Sequence, residues 1–238
     1  MTNKNKLILT LRIKKVTWIL SILICVLLVL SVLASAWHYY KHLTPFGASP
    51  LVQLFRLVDV ANIPTFFATL IDLGCAAVLA VLAKLKKEQS DRFYRHWAFL
   101  SAIFFYIALD ETASIHELSI LPLRHALGAG GIFYYTWIVL AIPLAMAVVL
   151  SYLRLVKSLP RKHQILVFAA GAIYLGGSLA GEMISGYAVS RQFNYWRTIN
   201  ALFSTLEEFC ELAGTSLFLC VLLDYLKEQG TTLEIRPE

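Results

Sequence analysis

Six stretches of roughly twenty residues in this chain are almost wholly apolar, and the polar positions gather between them. They fall at approximately Val16–Trp37, Pro64–Ala83, Ala98–Glu117, Gly131–Tyr152, Ile165–Tyr187 and Ile199–Leu223. Each is long enough to cross a hydrocarbon layer of about 30 Å. Backbone groups in lipid must pair within their own segment, so the pattern predicts helices. The expected fold class is all-α, a polytopic membrane bundle of six transmembrane helices with both termini cytoplasmic. Residues 1–238 are expected to form a single integral membrane domain. Within it lie a basic N-terminus (1–15), the six-helix bundle (16–226) and a disordered tail (227–238). Between the first two spans, SPLVQLFRLVDVANIP (Ser49–Pro64) predicts a short interfacial helix. Trp37-His38-Tyr39-Tyr40 and Phe193-Asn194-Tyr195-Trp196 supply the aromatic belt of a membrane surface.

Composition agrees: 58% of residues are hydrophobic and 15% charged, against about a quarter charged in an ordinary soluble domain. Charge also orients the chain. Of 21 Lys and Arg, sixteen fall in alternate connections, namely Lys4 to Lys15, Lys84 to Arg95, Arg154 to Lys162, and Lys227 with Arg236. The other connections hold five: Lys41, Arg56, Arg124, Arg191 and Arg197. Positive residues stay inside, which predicts an N-in/C-in protein of the bacterial cytoplasmic (inner) membrane. The net charge of +6 then reflects topology and anionic lipid, so the lipid bilayer is the expected partner and no nucleic acid is needed. The first span ends in Ala34-Ser35-Ala36 and has a signal-peptide alternative, but its apolar run is long for that role. Cleavage there would leave five spans. Cys25, Cys75, Cys210 and Cys220 all lie within spans without CxxC spacing, which suggests neither a disulfide framework nor a zinc ribbon.

Against this background the stretch LDETASIHE (Leu109–Glu117) places three carboxylates and a histidine at the end of an apolar helix. It is not alone. Eight of the fifteen acidic residues fall inside predicted spans: Asp72, Asp110, Glu111, Glu117, Glu182, Glu207, Glu208 and Glu211. At a helix centre each would cost about 2.5–3.5 kcal/mol, and intramembrane acids mark functional sites by default. At 1.5 Å per residue Asp72 lies about 12 Å below the outer edge and Glu182 about 8 Å. Glu207, Glu208 and Glu211 lie about 12–18 Å down. Four helices of alternating direction thus present acids at similar depth in the outer half. Glu111 and His116, however, stand about 140° apart on one helical wheel, so both reach one centre only if the helix loosens between them.

Clustered carboxylates disfavour one another's ionisation unless protons or cations sit among them. Arg56, Arg124, Arg191 and Arg197 lie near enough to neutralise a few. For the rest, oxygen ligands suit Ca, Mg or Mn, and an added imidazole shifts the expectation to Mn, Fe or Zn. The candidate ligands of one or more divalent metal ions are Asp72, Asp110, Glu111, His116, Glu117, Glu182, Glu207, Glu208 and Glu211. Di-iron bundles offer an architectural parallel, although their Glu-x-x-His motif is missing. His38 and His42 form a lesser candidate pair, His125 reads as a loop residue, and His96 and His163 face the cytoplasm. Gly176-Gly177 with Gly181 predicts close packing of the fifth span. The chain has no GxSxG, HExxH, P-loop or dinucleotide fingerprint.

The stretches LDETASIHE and EEFCELAG together resemble an uncharacterised group of bacterial multi-pass membrane proteins with an LDE…IHE segment and a late EExxE segment. The matching positions are Asp110, Glu111, His116 and Glu117, then Glu207, Glu208, Glu211 and Gly214. That resemblance implies a membrane bundle and no activity. Among functions, the residues favour a metal-dependent membrane enzyme, a hydrolase or oxidoreductase, acting on a lipid or lipid-linked substrate. A cation or proton-coupled transporter and a non-catalytic metal sensor or assembly factor are the alternatives.

Overall fold

The fold is built from long apolar helices whose exposed faces are as greasy as their buried ones. In α1 (Ile13–Tyr40), Trp18, Val29, Leu33 and Trp37 are all more than half exposed, which suits lipid and not water. After α2 (Pro50–Gln53) come α3 (Ile63–Glu88), α4 (Tyr94–Ala113), α5 (Ile120–Leu127), α6 (Ile138–Ser158), α7 (Arg161–Arg191) and α8 (Trp196–Glu228). The computed structural model describes residues 7–8, 13–40, 50–57, 59, 61–192, 195–229 and 234–235. Among the described residues, five helices are long and apolar enough to cross a membrane, or six when a pair bent by 74° is taken as one span. Apart from a two-residue pairing of Leu7–Ile8 with Glu234–Ile235, the described chain is helical. His42, Lys41 and the Phe193-Asn194 part of the aromatic belt lie outside the described residues, as do most of the N-terminal basic residues and Arg236.

Two predicted spans differ from the structure. The third, expected to run unbroken over Ala98–Glu117, stops at Ala113. Ser114 takes the left-handed conformation (φ 46°, ψ 45°), a 3-10 turn covers His116–Ser119, and α5 leaves at the 74° bend. The fourth, expected from Gly131, becomes α-helical at Ile138. Gly128 and Gly131 have φ of +57° and +64°, a conformation glycine adopts without a Cβ clash. They turn residues 128–137 back against the last turns of α7. Arg124 holds it by donating from Nε and Nη2 to the Tyr134 carbonyl at 2.9 and 2.7 Å. The Gly131 amide donates to Ser190 Oγ at 2.8 Å. The expected interfacial helix is a single turn, α2, followed by turns.

The most buried long helix is α8, and α7 packs along it through small residues. A Cβ at Gly181 would stand 2.6 Å from Glu207 Cβ, one at Gly214 would stand 2.8 Å from Tyr174 Cβ, and one at Gly177 would overlap Cys210. Gly176 faces open space instead. The apolar core of Leu79, Leu82, Trp97, Leu155, Leu222 and Leu226 joins α3, α4, α6 and α8 at one end. There Tyr152 donates to the His96 carbonyl at 2.8 Å, tying α6 to α4. Beyond that bond α6 packs on α7, and a gap runs along its length between it and α4.

Candidate functional site

A cavity of about 1130 Å³ fills that gap. Its wall is largely aliphatic and aromatic, including Leu100, Phe104 and Ile107 of α4, Leu140, Leu144 and Val148 of α6, and Phe218 of α8. One end is acidic. Asp110, Glu111, His116, Glu117, Glu182, Glu207, Glu208 and Glu211 all line the cavity. The ninth predicted residue, Asp72, is 3% exposed and lies behind them. It lines a recess of about 10 Å³ with Glu111, Glu208 and Glu211, roughly the room one water needs. The Oδ1 atom of Asp72 has no hydrogen-bond partner. Eight of the nine candidate residues thus line one end of one cavity, with Asp72 in the recess behind them.

The break in the third span explains how. Asp110 ends α4 by taking the His116 backbone N–H on Oδ1 at 2.8 Å and meeting His116 Nδ1 with Oδ2 at 2.6 Å. A straight helix would turn His116 away from Glu111; the left-handed Ser114 turns it back. A carboxylate facing Nδ1 makes that nitrogen the donor, so Nε2 is the ring nitrogen left to the cavity. The His116 ring lies 4.7 Å from the ring of Trp137, whose Nε1 donates to Glu182 Oε1 at 3.2 Å. Ser178 and Glu211 both line this end of the cavity. Ser178 shares a helical face with Glu182 and Ser185 in the sequence, whereas Trp137 carried no signal there, because a tryptophan within an apolar span has an ordinary structural role.

No Lys or Arg is among the described residues that line the cavity. Arg56 pairs with Asp59 at 3.2 Å, where burial raises the Asp59 carboxyl against the downward pull of Arg56. Arg124 serves the Tyr134 carbonyl. The expected neutralisation of the acids by these two arginines is therefore replaced by pairings of their own.

Among the described residues, the group whose ligand atoms all lie within 4.8 Å of one another is at the opposite end: His163, Asp224 and Glu228. His163, read from the sequence as merely facing the cytoplasm, is fully buried there. The carboxylates of the acidic end are spread more widely around their cavity.

The fold and this cavity define a membrane-spanning helical bundle with a carboxylate- and histidine-lined chamber. Residues 19–226 match the family described as a domain of unknown function (DUF8692), and the chain belongs to it. That description implies no activity, as does the resemblance carried by LDETASIHE and EEFCELAG. No curated protein and no solved structure matches the chain.

Proposed function

We propose that this chain is an intramembrane enzyme that acts on the head of a lipid or lipid-linked molecule at its acidic end while the apolar cavity takes the tail. One observation carries the reading: a single cavity has a carboxylate–histidine end and an aliphatic remainder. Its parted wall between α4 and α6 offers sideways access from the bilayer. In this reading the protein sits N-in/C-in in the bacterial cytoplasmic membrane, with the acidic end outward.

His116 Nε2, oriented by Asp110, takes the proton of an attacking water, the usual work of an imidazole with a committed partner on its other nitrogen. Glu111, Glu208 and Glu211 with Asp72 would hold a divalent ion. The support is Asp72 Oδ1, buried without a partner, in a residue that shares a recess of one-water size with Glu111, Glu208 and Glu211; these carboxylates would draw together to bind one ion. The ion would supply Lewis acidity, and Mn, Fe or Zn is favoured if His116 joins the oxygens. With no basic side chain at hand, the head group entering this end is neutral or cationic, or reaches the carboxylates through the ion. Hydrolysis and oxidation are the two reaction types such a site serves.

A transporter is the second reading, because the same cavity extends to His163 at the far end. Its middle is aliphatic and gives a hydrated ion no polar stations, which favours the enzyme. In oriented proteoliposomes, divalent metal should bind from the acidic face without accumulating inside. Glu208→Gln and Glu211→Gln should each lower the bound metal. Sustained uptake abolished by Glu208→Gln would replace the enzyme with a transporter, and unchanged metal content in both variants would remove the ion from the site.

A further inference from the structure

We propose that His163, Asp224 and Glu228 form a second metal site, for one divalent ion of the zinc, manganese or iron class, at the end of the bundle opposite the acidic layer. It stands independently of the enzyme reading. His163 sits in the first turn of α7, while Asp224 and Glu228 lie one turn apart at the close of α8, so the site joins the two helices that pack most closely.

Three observations support it. First, His163 is 0% exposed and neither ring nitrogen makes a hydrogen bond. A buried imidazole left so is expensive unless something else satisfies it. Second, Nε2, the ring nitrogen that would bind the ion, stands 3.3 Å from Asp224 Oδ2, and one ligand atom from each of His163, Asp224 and Glu228 lies within 4.8 Å of the others. Two ligands bound to one ion at about 2.0–2.2 Å and tetrahedral angles stand about 3.3–3.6 Å apart. The short His–Asp separation, misaligned as a hydrogen bond, therefore has the span of two ligands around one ion. Third, one nitrogen and two carboxylate oxygens suit a borderline transition ion better than calcium or magnesium. Two carboxylates balance its charge, and three protein ligands leave a position for water.

Lys162 also reaches the Asp224 oxygen. Its side chain is 60% exposed, so it neutralises Asp224 when no ion is present and swings into solvent when one binds. This makes Lys162 a competitor, and removing it becomes a test that a purely structural ion pair would fail.

The full-length chain, purified in detergent and stripped with EDTA, is titrated with Zn²⁺ alone. Asp224→Asn and Glu228→Gln should each lose one ion per chain, with affinity for it falling by at least about tenfold. Glu228 is half-exposed, so its variant folds even if a change at His163 does not. Lys162→Ala should bind that ion several-fold more tightly, and Glu208→Gln should leave it unchanged, which separates this site from the acidic end. Wild-type zinc binding in both Asp224→Asn and Glu228→Gln would overturn the proposal. So would a Lys162→Ala variant with no gain in affinity and a lowered melting temperature, the behaviour of a buried imidazolium held between two carboxylates.

Discussion

Asp110 does two jobs with one carboxylate. It caps the end of α4 by receiving the His116 amide, and it fixes the imidazole by meeting Nδ1. Both depend on Ser114, a non-glycine residue at φ 46°, where a side chain costs about 1–2 kcal/mol. Ser114→Gly should therefore keep the turn and raise or preserve the thermal midpoint in detergent. Ser114→Val should lower stability by about 1 kcal/mol or more, since a branched Cβ suits that region worst. Equal midpoints for the two variants would show that the left-handed turn does not govern the break. The sequence showed which residue types gather here but not the turn that gathers them. LDETASIHE continues the helical spacing of the apolar run before it, and only the 140° conflict between Glu111 and His116 hinted at a break. A capping carboxylate looks the same in a sequence as a ligand.

The helices themselves were largely legible, because apolar length is an additive property that survives any packing. Ala113 and Ile138 are the boundaries where it failed: Ala113 stops at the left-handed Ser114, and the helix that starts at Ile138 follows the turn set by Gly128 and Gly131. The pairing of α7 with α8 was half visible: Gly177 and Gly181 do seat α8, as their small size suggested. The partner glycine on α8, Gly214, had been noted only within the EEFCELAG stretch. His163 with Asp224 and Glu228 was not legible, because helices far apart in sequence create it. At this scale the proposed orientation of the bundle rests on the sixteen-to-five asymmetry of Lys and Arg. In a background lacking the four native cysteines, single cysteines at Lys87 and Arg161 should resist an impermeant thiol reagent in intact cells, while one at Gln192 labels. The opposite pattern would invert the bundle and turn the acidic end inward.

The whole molecule is closed on one flank and open along another. Leu79 and Leu82 of α3 are fully buried in the apolar core with Leu222 of α8, and the space between α4 and α6 forms a chamber that is acidic at one end, apolar along its walls and reaches Trp97 and His163 at the other end. A chamber of two characters fits a molecule of two characters, and that is the central claim. Its most direct test is turnover of a membrane-lipid extract by the purified chain with Mn²⁺, Fe²⁺ or Zn²⁺, read by mass spectrometry. The wild type should convert at least one lipid class, and His116→Ala should slow that conversion by about 10²-fold or more, the usual share of a positioned acid–base group. Leu144→Trp, which fills the apolar wall without touching a carboxylate, should weaken binding of the same lipid. No change in any lipid with each of the three metals, or equal conversion by wild type and His116→Ala, would contradict the account.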